Sequence, residues 1–238
     1  MGVSKQQEAR QAEVARNDEA LLRAARRVFS RDGEHASVNA IAEAAGVGVG
    51  TLYRRYNGKA ALYERLLILS NQQWIAATRA AADHPDPWQG LQDLIVQSVE
   101  YGQGTLAPLR KLTSVPAQSV ELVAAADRDF TTLVDRAHEC GGLRRDVTAT
   151  DIVLLIEQLG RSPLVEQIQE LGDDALDTQA RAARRRLIVI ALDGLAAVQR
   201  ADLPGSPPSP RLLTTRWKRL TARGPGAGHV RASRADVL

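Results

Sequence analysis

The chain reads SVNAIAEAAGVGVGTLYRRYNGK from residue 37 to residue 59, and this stretch predicts the fold of the N-terminal part. Ser37 is a favourable N-cap, and apolar side chains follow it at the spacing of one helix face. Gly46 ends that helix, because glycine readily takes the left-handed backbone conformation found just after many helices. A second short helix is predicted to begin near Gly48 or Val49.

The two short helices are spaced as in a helix-turn-helix. Ala42 is small, so the helices can approach each other closely, and Gly46 follows four positions later. Leu52 comes six positions after that glycine and anchors the second helix in the core. In this motif the second helix enters the major groove of DNA. The stretch therefore predicts a DNA-binding head.

The composition predicts an all-α fold. The chain has 238 residues, of which 44% are hydrophobic, 25% are charged and only 4% are aromatic. Apolar residues recur at helical spacing almost throughout, and convincing alternating strand patterns are missing. The N-terminus does not resemble a signal peptide and no apolar run approaches membrane-spanning length, so a cytoplasmic protein without membrane contact is expected. The single cysteine, Cys140, excludes an intrachain disulfide and a cysteine-based zinc site.

Charge is distributed unevenly along the chain. Residues 1–65 carry 11 lysines and arginines against 8 acidic residues, and residues 201–238 carry 7 against 2. The intervening residues 66–200 carry 13 basic against 18 acidic side chains. Basic ends around an acidic middle favour nucleic-acid contact by the ends alone. The alternative is ordinary variation in the charge of a solvated surface, so the pattern supports the motif and does not replace it.

Four segments are predicted along the chain. A flexible arm covers residues 1–16, and a helix-turn-helix domain that opens with Asn17 as N-cap covers residues 17–63. Further helices fill residues 64–202, and a basic tail rich in proline, glycine and arginine, predicted to be disordered, covers residues 203–238. The tail is expected either to add non-specific DNA affinity or only to keep the chain in solution.

Local signals place the helices of the larger part. Predicted helices cover residues 59–82, a stretch that begins at Asp86 and Pro87, residues 105–112, residues 117–140, a stretch that begins at the capping box of residues 148–151, and residues 177–198. The last of these contains three consecutive arginines, residues 184–186, which are interpreted as a solvated helix turn.

These features together resemble the tetracycline-repressor (TetR) family. The resemblance rests on a three-helix head, on the sequence Gly-Thr-Leu-Tyr at residues 50–53, and on Lys59 at the start of a fourth helix. It is specific over residues 17–66, whereas the rest of the chain is similar only in its length and helix pattern. Residues 141–152 also look like a loop found in actinobacterial members. The resemblance implies an all-α protein with a helix-turn-helix head and a helical ligand-binding and dimerisation domain.

The resemblance also implies which residues contact an operator in double-stranded DNA. Contacts to the phosphate backbone fall to Ser37, Thr51, Tyr53 and Lys59; contacts to base edges fall to Val49, Gly50 and Arg54, and Arg54 or Arg55 is expected to dominate the choice of bases. Two departures from the family pattern weaken local caps: Gly48 replaces the usual Ser or Thr, and Asn57-Gly58 replaces Pro-Ser or Pro-Thr.

For the larger domain, the resemblance implies a small-molecule effector site in helices five to seven and a homodimer formed by the last two helices. The candidate pocket residues are Trp74, Trp88, Tyr101, Leu109, Phe130 and Leu133. The candidate dimer residues are Ile152, Leu155, Ile156, Leu159, Leu187, Ile190 and Leu195. The alternative for both sets is that they form the ordinary core of one chain.

The preferred hypothesis is a dimeric transcriptional repressor that binds a palindromic operator and is released by a small molecule. An activator, an effector-independent DNA binder and a helical protein-interaction scaffold remain alternatives. An enzyme is not expected, because the sequence lacks recognisable nucleophile, phosphate-loop and cofactor patterns. No cofactor is predicted, and His138 beside Cys140 is not expected to bind a metal.

Overall fold

A computed structural model of the chain describes residues 2–102, 106, 117–162, 164–169, 171–198 and 201–211. The predicted all-α fold is confirmed: these residues form helices joined by turns, and their β structure is limited to an isolated bridge between Leu143 and Ala196. The helices are α1 (Gly2–Asp32), α2 (Val38–Ala44), α3 (Val49–Arg55), α4 (Lys59–Ala82), α5 (Pro87–Glu100), α6 (Ala117–Glu139), α7 (Ala149–Gly160), α8 (Leu164–Gln169) and α9 (Asp174–Leu195). Of the predicted helix over residues 105–112 the structure describes residue 106 alone, and the predicted tail beyond residue 211 lies outside the described residues.

The first helix is longer than predicted. Helix α1 runs without a break from Gly2 to Asp32, so the predicted helix start at Asn17 is wrong, and residues 2–16 of the predicted flexible arm are helical. The physical reason is that no glycine or proline interrupts this helix after Gly2, and that alanine, glutamine, glutamate and arginine have low intrinsic costs in a helix. Gly33 follows the helix with a positive φ of 56°, as the sequence predicted for its end.

Helices α1, α2 and α3 pack with the first turns of α4 around one hydrophobic core, here called the head core. Phe29, Leu52 and Tyr63 are fully buried in it. The rings of Phe29 and Tyr63 meet edge to face with their centroids 6.3 Å apart. Ile41 and Ala42 are also buried, so the predicted apolar face of α2 is confirmed.

Helix α4 passes without a break from the head core into the larger part of the chain. Leu62 and Leu66 near its start are buried in the head core, whereas Ala77 and Ala81 near its end belong to a second core. The predicted boundary at residues 63–64 thus lies inside a continuous helix.

The second core is formed by the end of α4 together with α5, α6, α7 and α9. Its helices α5 and α7 begin where the sequence predicted. Asp86 caps α5 by accepting hydrogen bonds from the backbone N–H groups of Trp88 at 2.9 Å and Gln89 at 3.1 Å. Thr148 and Asp151 form the predicted capping box at the start of α7.

The last helix ends earlier than predicted because its following residues pair with another segment. Helix α9 covers Asp174–Leu195 instead of residues 177–198. After it, the N–H of Ala197 donates to the carbonyl oxygen of Gly142 at 2.9 Å. Asp146 accepts a hydrogen bond from the N–H of Leu203 at 2.9 Å and two from the Arg144 guanidinium, and these donors lower the pKa of Asp146 to about 2. The segment that leaves α9 is therefore bound to the second core.

Two further properties concern the described part of the chain. None of its helices combines the length and the apolar character needed to cross a membrane. Over the same residues, no three histidine, cysteine, aspartate or glutamate side chains are grouped so that they could hold a metal ion. Cys140 is exposed near the end of α6 and its thiol donates to the carbonyl oxygen of Ala137 at 3.4 Å.

Candidate nucleic-acid interface

Helices α2 and α3 are joined by a tight turn that matches the sequence prediction. The Ser37 hydroxyl oxygen accepts a hydrogen bond from the N–H of Ala40 at 3.0 Å, which confirms Ser37 as the N-cap of α2. Gly46 has a φ of 68°, a conformation that other residues rarely adopt. The N–H of Val47 then donates to the carbonyl oxygen of Ala42 at 3.0 Å and closes the turn. This geometry sets the angle at which α3 leaves α2.

Helix α3 buries one face and exposes the other. Leu52 is fully buried and anchors the helix in the head core, as predicted. On the other face Gly50 and Arg54 are exposed, and the Tyr53 side chain is 55% exposed. A side chain added at Gly50 would meet no atom within 4 Å, so the backbone of α3 lies open at this point. Another molecule can approach the helix closely there.

The Arg54 guanidinium lies along α3 itself. Its Nε donates to the carbonyl oxygen of Gly50 at 3.3 Å, and its Nη2 donates to the Thr51 hydroxyl at 3.1 Å. Both contacts are exposed to solvent. The charge of Arg54 and the hydroxyl of Thr51 therefore lie next to the open backbone at Gly50.

Arg55 points the other way and joins α3 to α1. Its Nε lies 2.8 Å from Asp18 Oδ1, and its Nη2 donates to the carbonyl oxygen of Val14 at 3.3 Å. The Tyr56 hydroxyl donates to the same Asp18 oxygen at 2.8 Å, and burial together with this hydrogen bond raises the pKa of Tyr56 to about 12. The sequence pattern predicts a DNA role for Arg55 and gives no sign of this contact, because it places Val14 in a flexible arm.

Lys59 begins α4 and is half-buried. Its Nζ donates to the carbonyl oxygen of Glu34 at 2.7 Å, so the lysine connects the start of α4 to the turn after α1. Gly58 precedes it with a φ of 86°, and a Cβ at Gly58 would lie 4.0 Å from Tyr53 Cε1. The exposed ring of Tyr53 and the N-terminus of α4 therefore form one continuous surface. Peptide N–H groups and a cation at a helix start favour anions such as phosphate.

Residues 21–66 match the family described as bacterial regulatory proteins, tetR family. The N-terminal domain belongs to the TetR family. The match begins in α1 and ends early in α4, so it contains the entire helix-turn-helix. With this TetR-family domain the chain is a DNA-binding transcriptional regulator, and the family points to a transcription factor rather than to an enzyme.

Solved structures of TetR-family regulators also resemble the chain. A TetR transcriptional regulator from Streptomyces coelicolor is 24% identical, with a TM-score of 0.47 over 76% of this chain and 99% of its own. A regulator from Mycobacterium vanbaalenii is 21% identical, with a TM-score of 0.47 over 78% and 98%. The ketosteroid transcriptional regulator of Mycobacterium tuberculosis is 20% identical, with a TM-score of 0.47 over 76% and 95%. No curated protein matches the chain.

Most of the predicted pocket residues pack in or against the second core and do not line a described cavity. Trp74 packs edge to face against Phe130 with centroids 5.3 Å apart, and its Nε1 donates to Asp127 at 3.1 Å. Burial raises the pKa of Asp127. Phe130 and Leu133 are buried in the second core. Trp88 packs half-buried against the same core, beside Gly142, whereas Tyr101 lies against Arg26. Leu109 lies outside the described residues.

The predicted dimer residues fall into two groups. Ile152, Ile156 and Leu195 are buried inside the chain itself, so they are core residues here and not free surface; Leu155 and Leu159 pack half-buried against the same core. Leu187 and Ile190 on α9 are exposed, and Ile190 is 62% exposed. Val189 is 54% exposed on the same helix and was not among the residues predicted from the sequence. The outward face of α9 is therefore apolar.

The three consecutive arginines of α9, residues 184–186, are predicted to form a solvated helix turn, but the first of them is half-buried. The Nη2 of this residue, Arg184, donates to the carbonyl oxygens of Val99 at 3.2 Å and Gly160 at 3.4 Å. These carbonyls belong to the last turns of α5 and α7, where the helix dipoles are negative. One guanidinium therefore holds three helices together. No local sequence signal marks it, since its partners are 85 and 24 residues away.

Proposed function

We propose that the chain is a dimeric, sequence-specific transcriptional repressor that acts in the cytoplasm and releases its operator when a small molecule binds the helical domain. The observation that carries this proposal is the exposed face of α3, on which Gly50, Tyr53 and Arg54 lie beside the N-terminus of α4. The shape and charge of this face suit the major groove of DNA and the phosphates on either side of the groove.

The geometry supports different DNA roles for different residues. Ser37, Thr51, Tyr53 and Lys59 supply hydroxyls and a cation around α3 for phosphate contacts. Gly50 and Arg54 lie on the exposed face of α3 and are the candidates for contacts to base edges, whereas Val49 is half-buried and packs against the head core. Because Arg55 is held by Asp18, Arg54 is the better candidate for reading a guanine. Each such bidentate contact contributes about 1–3 kcal/mol of discrimination against a wrong base.

A two-fold dimer through α9 is supported by the pattern of its outward face. Arg186, Val189, Ile190 and Asp193 are all exposed and follow helical spacing. When two copies of α9 pack antiparallel about an axis between Val189 and Ile190, Arg186 of each copy lies opposite Asp193 of the other. Such self-complementarity is what a two-fold interface requires, and it matches a palindromic operator.

Salt-dependent DNA binding tests the proposal. Duplexes selected from a random library on the full chain serve as the probe, and fluorescence anisotropy gives the affinity at several salt concentrations. Lys59→Gln is expected to weaken binding and to reduce the log–log salt slope by about 0.9 for each phosphate that the lysine neutralises in wild type. Arg79→Gln is the matched control, because Arg79 is an exposed cation at the far end of the same helix.

The outcome separates the alternatives. Failure to select any duplex, or a salt-independent affinity, overturns the DNA-binding proposal and favours a protein-interaction scaffold. A Lys59→Gln slope equal to that of wild type overturns the assigned phosphate contact. Selected duplexes without two-fold symmetry contradict the palindromic operator.

A further inference from the structure

Three arginines line a cavity between helices α5, α8 and α9. The cavity has a volume of about 190 Å³, and its lining residues are Glu100, Val165, Arg181, Arg184, Arg185 and Ile188. Glu100 ends α5, Val165 belongs to the short helix α8, and the other four lie on α9. None of the sequence-predicted pocket residues takes part in this lining.

The arginines of the cavity differ in how firmly they are held. Arg184 is fixed by its hydrogen bonds to the ends of α5 and α7. Arg181 pairs with Asp177 of its own helix at 2.9 Å. Arg185 lies 3.6 Å from Glu100, and the two side chains are 78% and 47% exposed. An ion pair this long and this solvated contributes little to stability, so another anion can replace Glu100 on Arg185 at a small free-energy cost.

The rest of the lining indicates an organic ligand. Val165 and Ile188 are almost fully buried and form an apolar floor beneath the arginines. An inorganic anion would gain nothing from such a floor, whereas a short hydrocarbon chain would bury its surface there. The volume is below the roughly 300–1,000 Å³ of pockets for drug-sized ligands, which restricts the ligand to a few carbon atoms.

We infer that this cavity binds a small aliphatic carboxylate, with its carboxylate between Arg184 and Arg185 and its chain on Val165 and Ile188. Planar guanidinium groups match the two oxygens of a carboxylate and bind them through charge-assisted hydrogen bonds. The inference rests on the proposed function, since it makes this carboxylate the effector of the regulator.

The position of the cavity also connects it with the DNA-binding head. A carboxylate on Arg185 displaces Glu100, the last residue of α5. The next residue, Tyr101, touches Arg26 of α1 in the head. Binding of the carboxylate therefore changes the contacts of the turn at the end of α5, and this turn touches α1 through Tyr101. A ligand that binds one arrangement of this turn more tightly shifts the DNA-binding head towards the conformation that accompanies that arrangement.

Calorimetric titration of the full chain with pentanoate tests the site directly. Wild type is expected to bind pentanoate and to give no heat with pentanamide, which has the same shape without the charge. Arg185→Gln is expected to weaken binding by about tenfold, because one charge-assisted hydrogen bond to the ligand is removed. Arg128→Gln, an exposed arginine on α6 that does not line the cavity, is expected to bind within about twofold of wild type.

Several outcomes overturn the site. These are the absence of pentanoate binding, equal affinities of Arg185→Gln and wild type, and a decrease in affinity that is as large in Arg128→Gln. Inorganic phosphate that binds as tightly as pentanoate overturns the aliphatic assignment. Because Arg185 is exposed, unchanged thermal unfolding of Arg185→Gln is expected and shows that the variant is folded.

The same samples separate this inference from the proposed function. If wild type binds its selected duplex while pentanoate neither binds nor releases it, the inference fails and the DNA-binding proposal stands. If pentanoate binds as described while no duplex is bound at any salt concentration, the carboxylate site is supported and the repressor proposal fails. Release of the duplex by pentanoate in wild type, with weaker release in Arg185→Gln, supports both.

Discussion

The guanidinium of Arg26 lies 4.5 Å from the centre of the Tyr101 ring, and its Nη1 donates to the Tyr101 carbonyl oxygen at 3.4 Å. Arg26 belongs to α1 in the head, and Tyr101 immediately follows α5 of the larger domain. Burial lowers the pKa of Arg26, while the nearby Tyr101 opposes this shift. The pair therefore forms a desolvated contact between the part that binds DNA and the part proposed to bind the effector.

Arg26→Ala is expected to destabilise the chain by about 1–3 kcal/mol, because it removes a cation–π contact, a hydrogen bond and the packing of the arginine stem. Urea unfolding measures this change. Arg23→Ala is the control, since Arg23 is exposed on the same helix and its described contact is an exposed ion pair with Glu19. It is expected to cost about 0.5 kcal/mol or less. Equal destabilisation in the two variants would contradict the assigned role of Arg26.

Gly46→Ala is expected to destabilise the head by about 1–2 kcal/mol, because an alanine in the left-handed conformation carries a steric cost. The altered turn is also expected to misplace α3 and to weaken DNA binding. Thermal unfolding and anisotropy with a selected duplex measure the two effects.

Gly50→Ala is the control for Gly46→Ala, because it makes the same substitution at a glycine that lies inside α3 and has space for a Cβ. Alanine there is expected to stabilise the helix by up to about 1 kcal/mol. If the DNA backbone approaches Gly50 closely, the same methyl group lowers DNA affinity in spite of the gain in stability. Unchanged DNA affinity in Gly50→Ala would show that α3 does not meet DNA at this point.

The hydrogen-bonded hydroxyl of Tyr56 is expected to make the head less stable at alkaline pH. Its pKa is raised to about 12 in the folded chain, against about 10 in an unfolded one. A raised pKa means that the folded state favours the protonated hydroxyl. The stabilisation is therefore complete below pH 10 and is lost as the pH rises from about 10 towards 12.

Comparison with Tyr56→Phe isolates this effect. The stability advantage of wild type over Tyr56→Phe is expected to be constant from about pH 7 to pH 9 and to shrink above about pH 10, as measured by urea unfolding. Tyr53→Phe serves as the control, because Tyr53 is exposed and forms no described hydrogen bond with Asp18. An advantage that stays unchanged up to about pH 11 would contradict the raised pKa.

Charge exchange tests the proposed dimer through α9. In the proposed two-fold dimer, Arg186→Asp places the new aspartate of each copy opposite Asp193 of the other copy. The resulting repulsion is expected to weaken dimerisation by about tenfold or more. The double variant Arg186→Asp/Asp193→Arg restores opposite charges and is expected to dimerise within about threefold of wild type. Sedimentation velocity over a concentration series measures both. A double variant as weak as the single one would contradict the antiparallel pairing.

Local signals in the sequence were sufficient for the helix-turn-helix and for most helix starts. Ser37, Asp86 and Thr148 accept hydrogen bonds from N–H groups only two or three residues away, so their roles depend on neighbours in the chain. Gly46 was predictable for the same reason, because its positive φ is a property of one residue. The start of α1 was missed because Asn17, a good cap, also fits into the interior of a long helix without a breaker.

The sequence alone was thus enough to establish the helical class, the DNA-binding motif and the residues that begin its helices, because these follow from interactions over one or two turns. The roles of Arg55, Arg26 and Arg184 emerged only from the packed chain. Their partners lie 37, 75 and 85 residues away, and the choice among many exposed carboxylates and carbonyls depends on how the helices pack. Packing also separated Ile156, which is buried in the core, from Ile190, which is exposed, although both lie in apolar stretches of the sequence. Periodicity shows which residues share a helix face, but only the neighbouring helices determine whether that face is covered.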